Sequence, residues 1–443
     1  MKIFDVTSYN AVGNGIKDNT VEIQKAIDDC CNSGGGIVLF PADNVFMSGP
    51  FNLKSNVELR LEKNSVLLAN PNEAVYKKSA FKENLGEGTV WIGGEDAENI
   101  VISGEGTIDG NGIAFMGPEE KAAYVLKDFN IIDPRPHLLT LINIKHLNIK
   151  DVTLKNSAYW CVHLAGCEDV TIEKVRILNN LKIRNSDGID LDHTKNVKIN
   201  DCYIESGDDC ICFKTRREYE GFGPTENVTV TNCTMTSTSC SIKLGSENVD
   251  AIRNVNISDC VIKSSNRGIG IQNRDEGTVE NIQFENISIE GRLFDDIWWG
   301  KAEPIYITAY KRKASKDKDS NLRFAKGQTV GKVGKVKDIS FSNITCKSEN
   351  GIFVGGEKNK IKNIKFTNVN IEIEKKTNYA GGIYDLRPSD TVGLLKTETS
   401  AFYFENIEDI SLIDSSVKWG IRKTPYYNRA LFARSSSNIY GEN

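Results

Sequence analysis

The feature that most constrains the fold is a short pattern that recurs along most of the chain. In each copy, aliphatic and polar residues alternate, and Asn, Asp or Lys and then a small or aliphatic apolar residue follow. The early copies begin about 23 to 31 residues apart. The copies begin at Leu147, Val170, Val197, Val228, Val255, Ile282, Ile339 and Ile364.

This pattern predicts a solenoid of short strands. Alternation with a period of two is typical of a strand, and a fixed repeat of this length is typical of stacked structural units. We therefore predict an all-β chain that folds as a single-stranded, right-handed parallel β-helix, since parallel crossovers are right-handed. The recurring Asn and Asp side chains are expected to stack and to bond along the helix. An antiparallel sandwich is the alternative, but it needs hairpin turns such as Asn-Gly, which are scarce here.

The ends and gaps of the pattern complete the predicted architecture. Residues 20–32 read as a short amphipathic capping helix that begins with a capping box at Asn19–Glu22 and covers the first coil. The gap from Ile282 to Ile339 is about twice the usual period, which predicts a loop insertion near 295–336. A second insertion is predicted near 213–226. No linker composition interrupts the chain, so we predict one domain over residues 1–443.

Charge and composition exclude several classes of partner. The net charge is −5, with acidic and basic residues interspersed, which argues against nucleic acid and anionic membranes as partners. No run of about 18 apolar residues occurs, so no membrane span is expected. The N-terminus lacks an apolar leader, which predicts a cytoplasmic protein, although a processed extracellular chain would look the same. Eleven cysteines, several of them in strand-like runs, are expected to be buried free thiols. The sequence does not indicate an oligomeric state.

Three aspartates mark the expected site of chemistry. Asp187 lies in an Asn-Ser-Asp-Gly turn, and Asp208 and Asp209 lie in a Ser-Gly-Asp-Asp turn, with a short alternating strand between the two turns. If both turns fall at the same point of successive coils, their side chains lie roughly 5 Å apart. Crowded carboxylates favour retention of a proton on one of them, and acid/base hydrolysis of a glycosidic bond needs such a mixed set. The structural alternative is that these residues only cap turns. No His/Cys cluster has zinc-type spacing, so neither a metal nor a cofactor is expected.

The chain resembles glycoside hydrolase family 28, the polygalacturonases and rhamnogalacturonan hydrolases, which have a pectin lyase-like β-helix. The resemblance runs from about residue 4 to at least residue 310, and it rests on the stretches FDVTSYNAVGNGIKDNT, GEGTIDGNG, RPHLLTLINIKHLNIKDVTLKNSAYWCVHLAGCEDVTI, NSDGID, SGDDCI and LGSE. It implies an inverting hydrolase that cleaves α-galacturonosidic bonds in pectic oligosaccharides without a cofactor. It also implies that Asp208 is the general acid and that Asp187 and Asp209 activate water.

The sequence departs from the polygalacturonase pattern at two motifs. Thr238-Ser239-Cys240 stands where the family has Gly-His-Gly, and Gly270-Ile271-Gln272 stands where it has Arg-Ile-Lys. The resemblance gives the missing Arg and Lys the task of binding a galacturonate carboxylate. Their loss favours a rhamnogalacturonan-type or otherwise modified substrate, and the insertions favour exo action.

Further residues are candidates for substrate contact. Asn185 lies beside Asp187, Lys243 and Arg274 could replace the missing cations, and a paired-tryptophan segment suits stacking on sugars. The predicted substrate-binding set is Asn185, Lys243, Arg274, Trp298, Trp299 and Tyr306. Two other functions stay open: a β-helix polysaccharide lyase that holds Ca²⁺ on the aspartates, and a carbohydrate-binding β-helix without catalysis.

Overall fold

The computed structural model describes residues 2–80, 88–128, 135–312 and 331–441. It divides into two compact units, which are described one at a time. Unit 1 consists of Met1–Glu120 and Val125–Gly207, and unit 2 consists of Lys121–Tyr124 and Asp208–Asn443. The assignment of one domain to residues 1–443 stays a prediction.

Unit 1 consists mainly of short parallel strands, together with α1 (Thr20–Asn32) and 3-10 turns at Val6–Tyr9, Glu73–Val75 and Gly112–Phe115. Its strands are β1 (Ile3–Asp5), β2 (Asn14–Asp18), β3 (Gly36–Phe40), β4 (Val45–Ser48), β5 (Phe51–Asn52), β6 (Val57–Leu61), β7 (Val66–Ala69), β8 (Thr89–Ser103), β9 (Thr107–Asp109), β10 (Met116–Glu120), β11 (Val125–Asp128), β12 (Pro136–Lys150), β13 (Thr153–Lys155), β14 (Val162–Ala165), β15 (Glu168–Glu173), β16 (Arg176–Leu178), β17 (Ile189–Asp192), β18 (Lys195–Asn200) and β19 (Tyr203–Ser206).

Unit 2 repeats this construction and adds a 3-10 turn at Arg217–Phe222. Its strands are β20 (Ile211–Thr215), β21 (Thr225–Thr231), β22 (Thr234–Ser237), β23 (Cys240–Asn248), β24 (Ile252–Ser258), β25 (Val261–Ser265), β26 (Arg267–Asn273), β27 (Val279–Gly291), β28 (Ile305–Ala309), β29 (Val336–Ser348), β30 (Ile352–Gly356), β31 (Ile361–Ile373), β32 (Ile383–Asp385), β33 (Leu394–Lys396), β34 (Thr399–Glu405), β35 (Ile407–Ile413), β36 (Ser416–Trp419), β37 (Tyr427–Arg434) and β38 (Ser437–Gly441).

The recurring pattern stacks in register within each unit, which confirms the right-handed parallel β-helix. In unit 1, Leu147 pairs with Val170, and Val170 pairs with Val197. In unit 2 the same column runs without a slip through Val228, Val255, Ile282, Ile339 and Ile364. Because side chains alternate across a strand, this register sends the aliphatic residues of every copy into the core.

Asn side chains form the predicted ladders at the turns. In unit 2, Asn254 donates to Asn227 at 3.2 Å, and Asn281 donates to Asn254 at 2.8 Å. All three residues have left-handed backbone conformations, with φ of 60°, 55° and 56° for Asn227, Asn254 and Asn281. Asn tolerates this conformation better than most residues, so the ladder and the turn geometry select the same amino acid.

Helix α1 lies where the sequence predicts it, but its N-terminal cap differs. The helix buries Ile23, Ala26, Ile27 and Cys30 and contacts β1 and β3. The Asn19 side chain does not cap the helix; its oxygen accepts from the Val12 N–H at 2.7 Å. The Asp18 carboxylate accepts from the Thr20 N–H at 2.9 Å instead. The predicted capping box is therefore wrong, because Asn19 is completely buried against the neighbouring loop.

Strands occupy parts of both segments that the sequence predicts as insertions. Residues 213–215 belong to β20, so the first excursion is confined to the segment between β20 and β21. Residues 305–309 form β28, which pairs with β26 in register because their alternate side chains fill the core. Of the segment near 295–336, residues 313–330 lie outside the described residues.

The thiols agree with the sequence prediction. All eleven cysteines lie within the described residues as free thiols, and ten of them are buried. In the described part of the chain, no helix has the length and apolar character needed to cross a membrane.

Candidate active site

In unit 1, Asp187 lies in the turn between β16 and β17. Its side chain is buried, and its backbone carbonyl accepts from the Cys161 N–H at 2.8 Å. Asn185, two residues earlier, is half-buried with φ of 59°, and its side-chain oxygen accepts from Arg135 Nη2 at 3.2 Å. The turn that carries both predicted residues is therefore fixed by the neighbouring coil. The approach of Asp187 to Asp208 and Asp209 stays a prediction.

In unit 2, Asp208 and Asp209 immediately precede β20. Asp208 is half-buried, whereas Asp209 is completely buried. One carboxylate oxygen of Asp208 lies within 4.8 Å of one of Asp209. The Ser237 hydroxyl donates to the Asp208 backbone carbonyl, which holds the turn against the next coil. The paired carboxylates that the sequence predicts are thus adjacent and unequally exposed to solvent.

Lys243 and Ser239 hold the two oxygens of Asp209. Lys243 lies on β23, in register with Cys212 of β20, and its Nζ donates to Asp209 Oδ2 at 2.7 Å. The Ser239 hydroxyl donates to Asp209 Oδ1 at 3.3 Å. Burial disfavours the charged form of Lys243, but Asp209 and further acidic groups together raise the pKa of Lys243. Lys243, which the sequence assigns to substrate contact, therefore has an acidic partner inside the protein.

A second set of ion pairs lies beyond this lysine. Lys214 Nζ lies 3.5 Å from Glu247 Oε2, and Arg312 contacts Asp275 through Nε at 2.9 Å and Nη2 at 2.7 Å. Burial alone would raise the pKa of Glu247, yet the positive charges of Lys214 and then Arg312 lower it. Glu247 of the Leu-Gly-Ser-Glu stretch is therefore ionised, and it balances cations that would otherwise be buried without a partner.

Another arginine, Arg267, lies beside Gly270, the residue at which the missing Arg-Ile-Lys motif would begin. A Cβ atom on Gly270 would lie 3.0 Å from Cys240 Sγ and 3.1 Å from Arg267 Cδ. The Arg267 guanidinium lies 3.8 Å from the centre of the Tyr306 ring, and its Nε lies 3.3 Å from Glu303 Oε2. Arg267 therefore lies beside Gly270, where it is paired inside the protein.

Arg274 and Tyr306 do not have the exposure that the predicted sugar contact requires. Both are completely buried. Arg274 Nη1 donates to Thr308 Oγ1 at 2.9 Å, and its Nη2 donates to the Leu386 carbonyl at 3.3 Å. Burial lowers the pKa of Arg274. The prediction of direct contact is corrected for these two residues, because their polar atoms face protein groups.

The two tryptophans have different environments. Trp298 is only 1% exposed, and its Nε1 donates to the Ala123 carbonyl at 3.0 Å, so the predicted sugar contact is corrected to an anchoring role. Trp299 is half-buried, and Lys243 Nζ lies 5.8 Å from the centre of its ring. A partly exposed indole next to the Lys243–Asp209 pair suits stacking on a sugar face.

Sequence reasoning treated Ser239 only as part of the triplet that lacks the family histidine. The hydroxyl of Ser239 can donate a hydrogen bond to a carboxylate from near the position of the missing histidine. This donor capacity was the sequence signal that could have identified Ser239. The sequence offers Asp385 and Arg387 only as residues of a late loop that could reach a cleft; Asp385 accepts from Arg387 Nε at 2.9 Å and from the Gly300 N–H at 2.8 Å. No local pattern links residue 385 to residue 300.

The fold and these residues define a parallel β-helix with an aspartate pair and a buried lysine at its candidate site. The chain belongs to Glycosyl hydrolases family 28, whose model matches residues 30–383.

Relatives and solved structures agree with this assignment. A probable polygalacturonase from Vitis vinifera is 31% identical over 268 residues, which cover 56% of this chain and 52% of the relative. An endo-polygalacturonase from Pectobacterium carotovorum subsp. carotovorum is 26% identical over 77% of this chain and 81% of its own length. The chain spans about half the length of the first curated relatives that it matches. The structure of the Yersinia enterocolitica family 28 exopolygalacturonase superimposes with a TM-score of 0.72 at 18% identity, covering 99% of this chain and 78% of that one, which supports the fold.

Proposed function

We propose that this protein is an inverting glycoside hydrolase that cleaves α-galacturonosidic bonds in pectic oligosaccharides. The observation that carries the proposal is the unequal Asp208–Asp209 pair. Asp209 is held by a lysine and a hydroxyl, while the half-buried Asp208 adjoins it. Hydrolysis of a glycosidic bond needs one carboxyl that donates a proton and a carboxylate that activates water.

The proposed roles follow from these environments. Asp208 protonates the leaving oxygen, because its partial exposure lets a substrate reach it. Asp209 acts as a base, because Lys243 and Ser239 hold its two oxygens in a fixed orientation. Asp187 shares the activation of water, a role that the sequence resemblance gives it.

A rhamnogalacturonan-type substrate is the finer part of the proposal. The family motif that supplies cations is replaced by Gly270 and Gln272, which carry no charge. Arg267 and Arg274, the arginines at the start of β26 and just after its end, are bound to internal partners. A neutral sugar next to galacturonate fits this uncharged strand better than a second uronate does.

Exo action is the second finer part. The segment between β27 and β28 carries Trp298 and Trp299, and further chain follows β28 before the pattern resumes at Ile339. Material inserted between coils of a solenoid usually gathers on the binding face, where it can close one end of a cleft. Several relatives and structural neighbours are exopolygalacturonases.

Proton NMR of the products tests the proposal. Wild type, Asp208→Asn and a control, Asp259→Asn at an exposed turn, would each be given rhamnogalacturonan oligosaccharides and, separately, oligogalacturonides. We expect the β-anomer to appear first from the rhamnogalacturonan substrate with wild type and the control, and no product with Asp208→Asn. The stereochemistry is a strict test, because one oxygen of Asp208 lies within 4.8 Å of one of Asp209, whereas the carboxyl groups of inverting pairs are usually roughly 6.5–9.5 Å apart.

The other outcomes are equally informative. Initial release of the α-anomer would contradict inversion. Unsaturated products would indicate a lyase, and preference for oligogalacturonides would contradict the rhamnogalacturonan assignment. Lack of any product from wild type would overturn the proposed function.

A further inference from the structure

The environment of Asp209 differs from that of a carboxylate that merely caps a turn. It is completely buried, and each of its oxygens accepts from a different side chain, Lys243 Nζ at 2.7 Å and Ser239 Oγ at 3.3 Å. These two donors come from neighbouring positions, since Lys243 lies near the start of β23 and Ser239 lies in the turn before it. Ser239 is itself oriented, because its N–H donates to Ser237 Oγ at 2.8 Å.

We propose that Lys243, assisted by Ser239, is a positioning residue that fixes the orientation of the Asp209 carboxylate. This inference rests on the proposed function. It replaces the expectation that Lys243 binds the carboxylate of the substrate. It also gives Asp209 one role throughout the reaction, that of a base, so the transferred proton must come from another carboxyl.

The other charged groups around the pair are occupied by different partners. On β20, Lys214 is directed at Glu247. On β26, Arg267 is directed at Glu303. Among the described residues of unit 2, Lys243 is thus the cationic residue that donates a hydrogen bond to Asp209.

The nearby thiols cannot supply the positive charge that is lost when Lys243 is replaced. Cys212 is aligned with Lys243, and Cys240 precedes it on the same strand. Burial raises the pKa of the Cys240 thiol, and the carboxylate of Asp209 raises it further, so this group is uncharged near neutral pH. Removing Lys243 would therefore leave the buried Asp209 carboxylate without its adjacent positive charge and without the donor that orients Oδ2.

The position of Trp299 explains how the lysine retains its place when substrate binds. Its ring centre lies 5.8 Å from Lys243 Nζ, and the lysine side chain is only 8% exposed. A sugar stacked on the outer face of this ring would cover the pair and exclude water from it. Exclusion of water strengthens the attraction between Lys243 and Asp209 at the time when the base acts.

Kinetics of Lys243 variants on the substrate that wild type cleaves test this inference. We expect Lys243→Ala to lower kcat by about 100- to 1,000-fold, within the 100- to 10,000-fold typical of acid–base contributions, with KM changed by less than about threefold. Lys243→Arg keeps the charge and should retain more of kcat. Ser239→Ala should lose about three- to tenfold, because a neutral donor contributes less than a charged one. Added ethylammonium should restore part of kcat in Lys243→Ala, an effect that a purely structural lysine would not show.

A matched control is Lys375→Ala. Lys375 Nζ lies 2.9 Å from Glu349 Oε1, so this variant removes a comparable lysine from a buried carboxylate elsewhere in unit 2. It should lower the melting temperature, and it should leave kcat unchanged and unresponsive to ethylammonium. If Lys243→Ala does not fold, Lys243→Met, which preserves most of the side-chain volume, takes its place.

The possible failures are distinct. A Lys243 variant with raised KM and normal kcat would show that the lysine binds substrate and would overturn the positioning role. Normal kcat and KM would also overturn it, as would a loss of kcat that ethylammonium does not relieve. In all three cases wild type still hydrolyses its substrate, and the proposed function stands. Wild type without activity would overturn both.

Discussion

The Asp385 carboxylate accepts a hydrogen bond of 2.8 Å from the N–H of Gly300, a residue 85 positions earlier in the chain. The same carboxylate binds Arg387, whose Nη2 also donates to the Trp298 carbonyl at 3.0 Å. Residues on both sides of Trp299 are therefore tied to a late segment of unit 2. This segment fixes the indole that we propose as a sugar platform.

Asp385→Asn should weaken substrate binding more than it slows the reaction. The amide cannot form the charge-assisted pair with Arg387, so the segment that holds Trp299 loses one of its supports. We expect KM to rise about fivefold with kcat within about twofold, and the free energy of unfolding to fall by about 2 kcal/mol. Steady-state kinetics and urea denaturation measure both. The exposed Asp390 of the same loop provides the control, Asp390→Asn, and a fall in kcat at constant KM would contradict the platform role.

Substitution of the two neighbouring tryptophans should separate binding from stability. Trp299→Ala removes a half-buried ring, and we expect KM to rise about tenfold, equivalent to about 1.4 kcal/mol, with little change in melting temperature. Trp298→Ala removes a buried ring and should lower the free energy of unfolding by about 3–5 kcal/mol. Oligosaccharide kinetics and denaturant unfolding test the pair. The opposite pattern would show that the two roles have been assigned to the wrong residues.

Gly270→Ala should destabilise the protein even though the glycine lies in an ordinary strand. The added methyl group would meet Cys240 Sγ at 3.0 Å and Arg267 Cδ at 3.1 Å, and overpacking of this kind costs about 1–3 kcal/mol. Cys240→Ala in the same chain should recover part of that loss, because it removes one of the two contacts. Gly221→Ala is the control, since nothing lies within 4 Å of its added atom. Equal unfolding free energies for Gly270→Ala and wild type would contradict the clash.

Glu349 should make stability depend on pH in the acid range. It accepts from the N–H groups of Leu293 at 2.7 Å, Lys376 at 2.8 Å and Thr377 at 2.7 Å. Burial alone would raise the pKa of Glu349, but these hydrogen bonds and Lys375 lower it. A lowered folded-state pKa means that the stabilisation is present above the unfolded value of about 4.3 and is lost as pH falls through the folded value.

The measurement is urea unfolding of wild type and Glu349→Gln from pH 7 to pH 3. The variant should be less stable at pH 7, and the difference should shrink below about pH 4. Glu408→Gln, at an exposed position, should show no such trend. A difference of the same size at pH 7 and pH 3 would rule out this linkage.

The repeating part of the fold was predictable because it depends on local patterns. Alternation within each copy sets which side chains face the core, and the spacing of Val255, Ile282 and Ile339 then sets the stacking. The aspartates and the family were predictable because their motifs are contiguous. The Asn19 capping box failed because a second candidate cap, Asp18, stands one residue earlier, and the burial of Asn19 decided between them.

The partners of the site residues were not predictable in the same way. Trp298 and Trp299 are adjacent in an irregular segment without periodicity. Trp298 is the buried one, and its Nε1 donates to the carbonyl of a residue 175 positions earlier in the chain. Arg274 was expected to face substrate because it follows the position of the missing Arg-Ile-Lys motif and could replace its cations, yet it is buried among hydroxyls and carbonyls. For Lys243, the strand position alone does not distinguish a substrate carboxylate from that of Asp209.

The unbroken register of the β27, β29 and β31 strands has a consequence for how the chain can change in length. Loss of one residue inside a strand would exchange the inward and outward faces of the residues that follow it in that strand, whereas loss or gain of a complete turn of the helix would leave each face as it was. The interval from Ile282 to Ile339 contains additional chain, yet the two residues still pair. Evolution can therefore lengthen this protein freely between strands and, within the stack, only in steps of one whole coil.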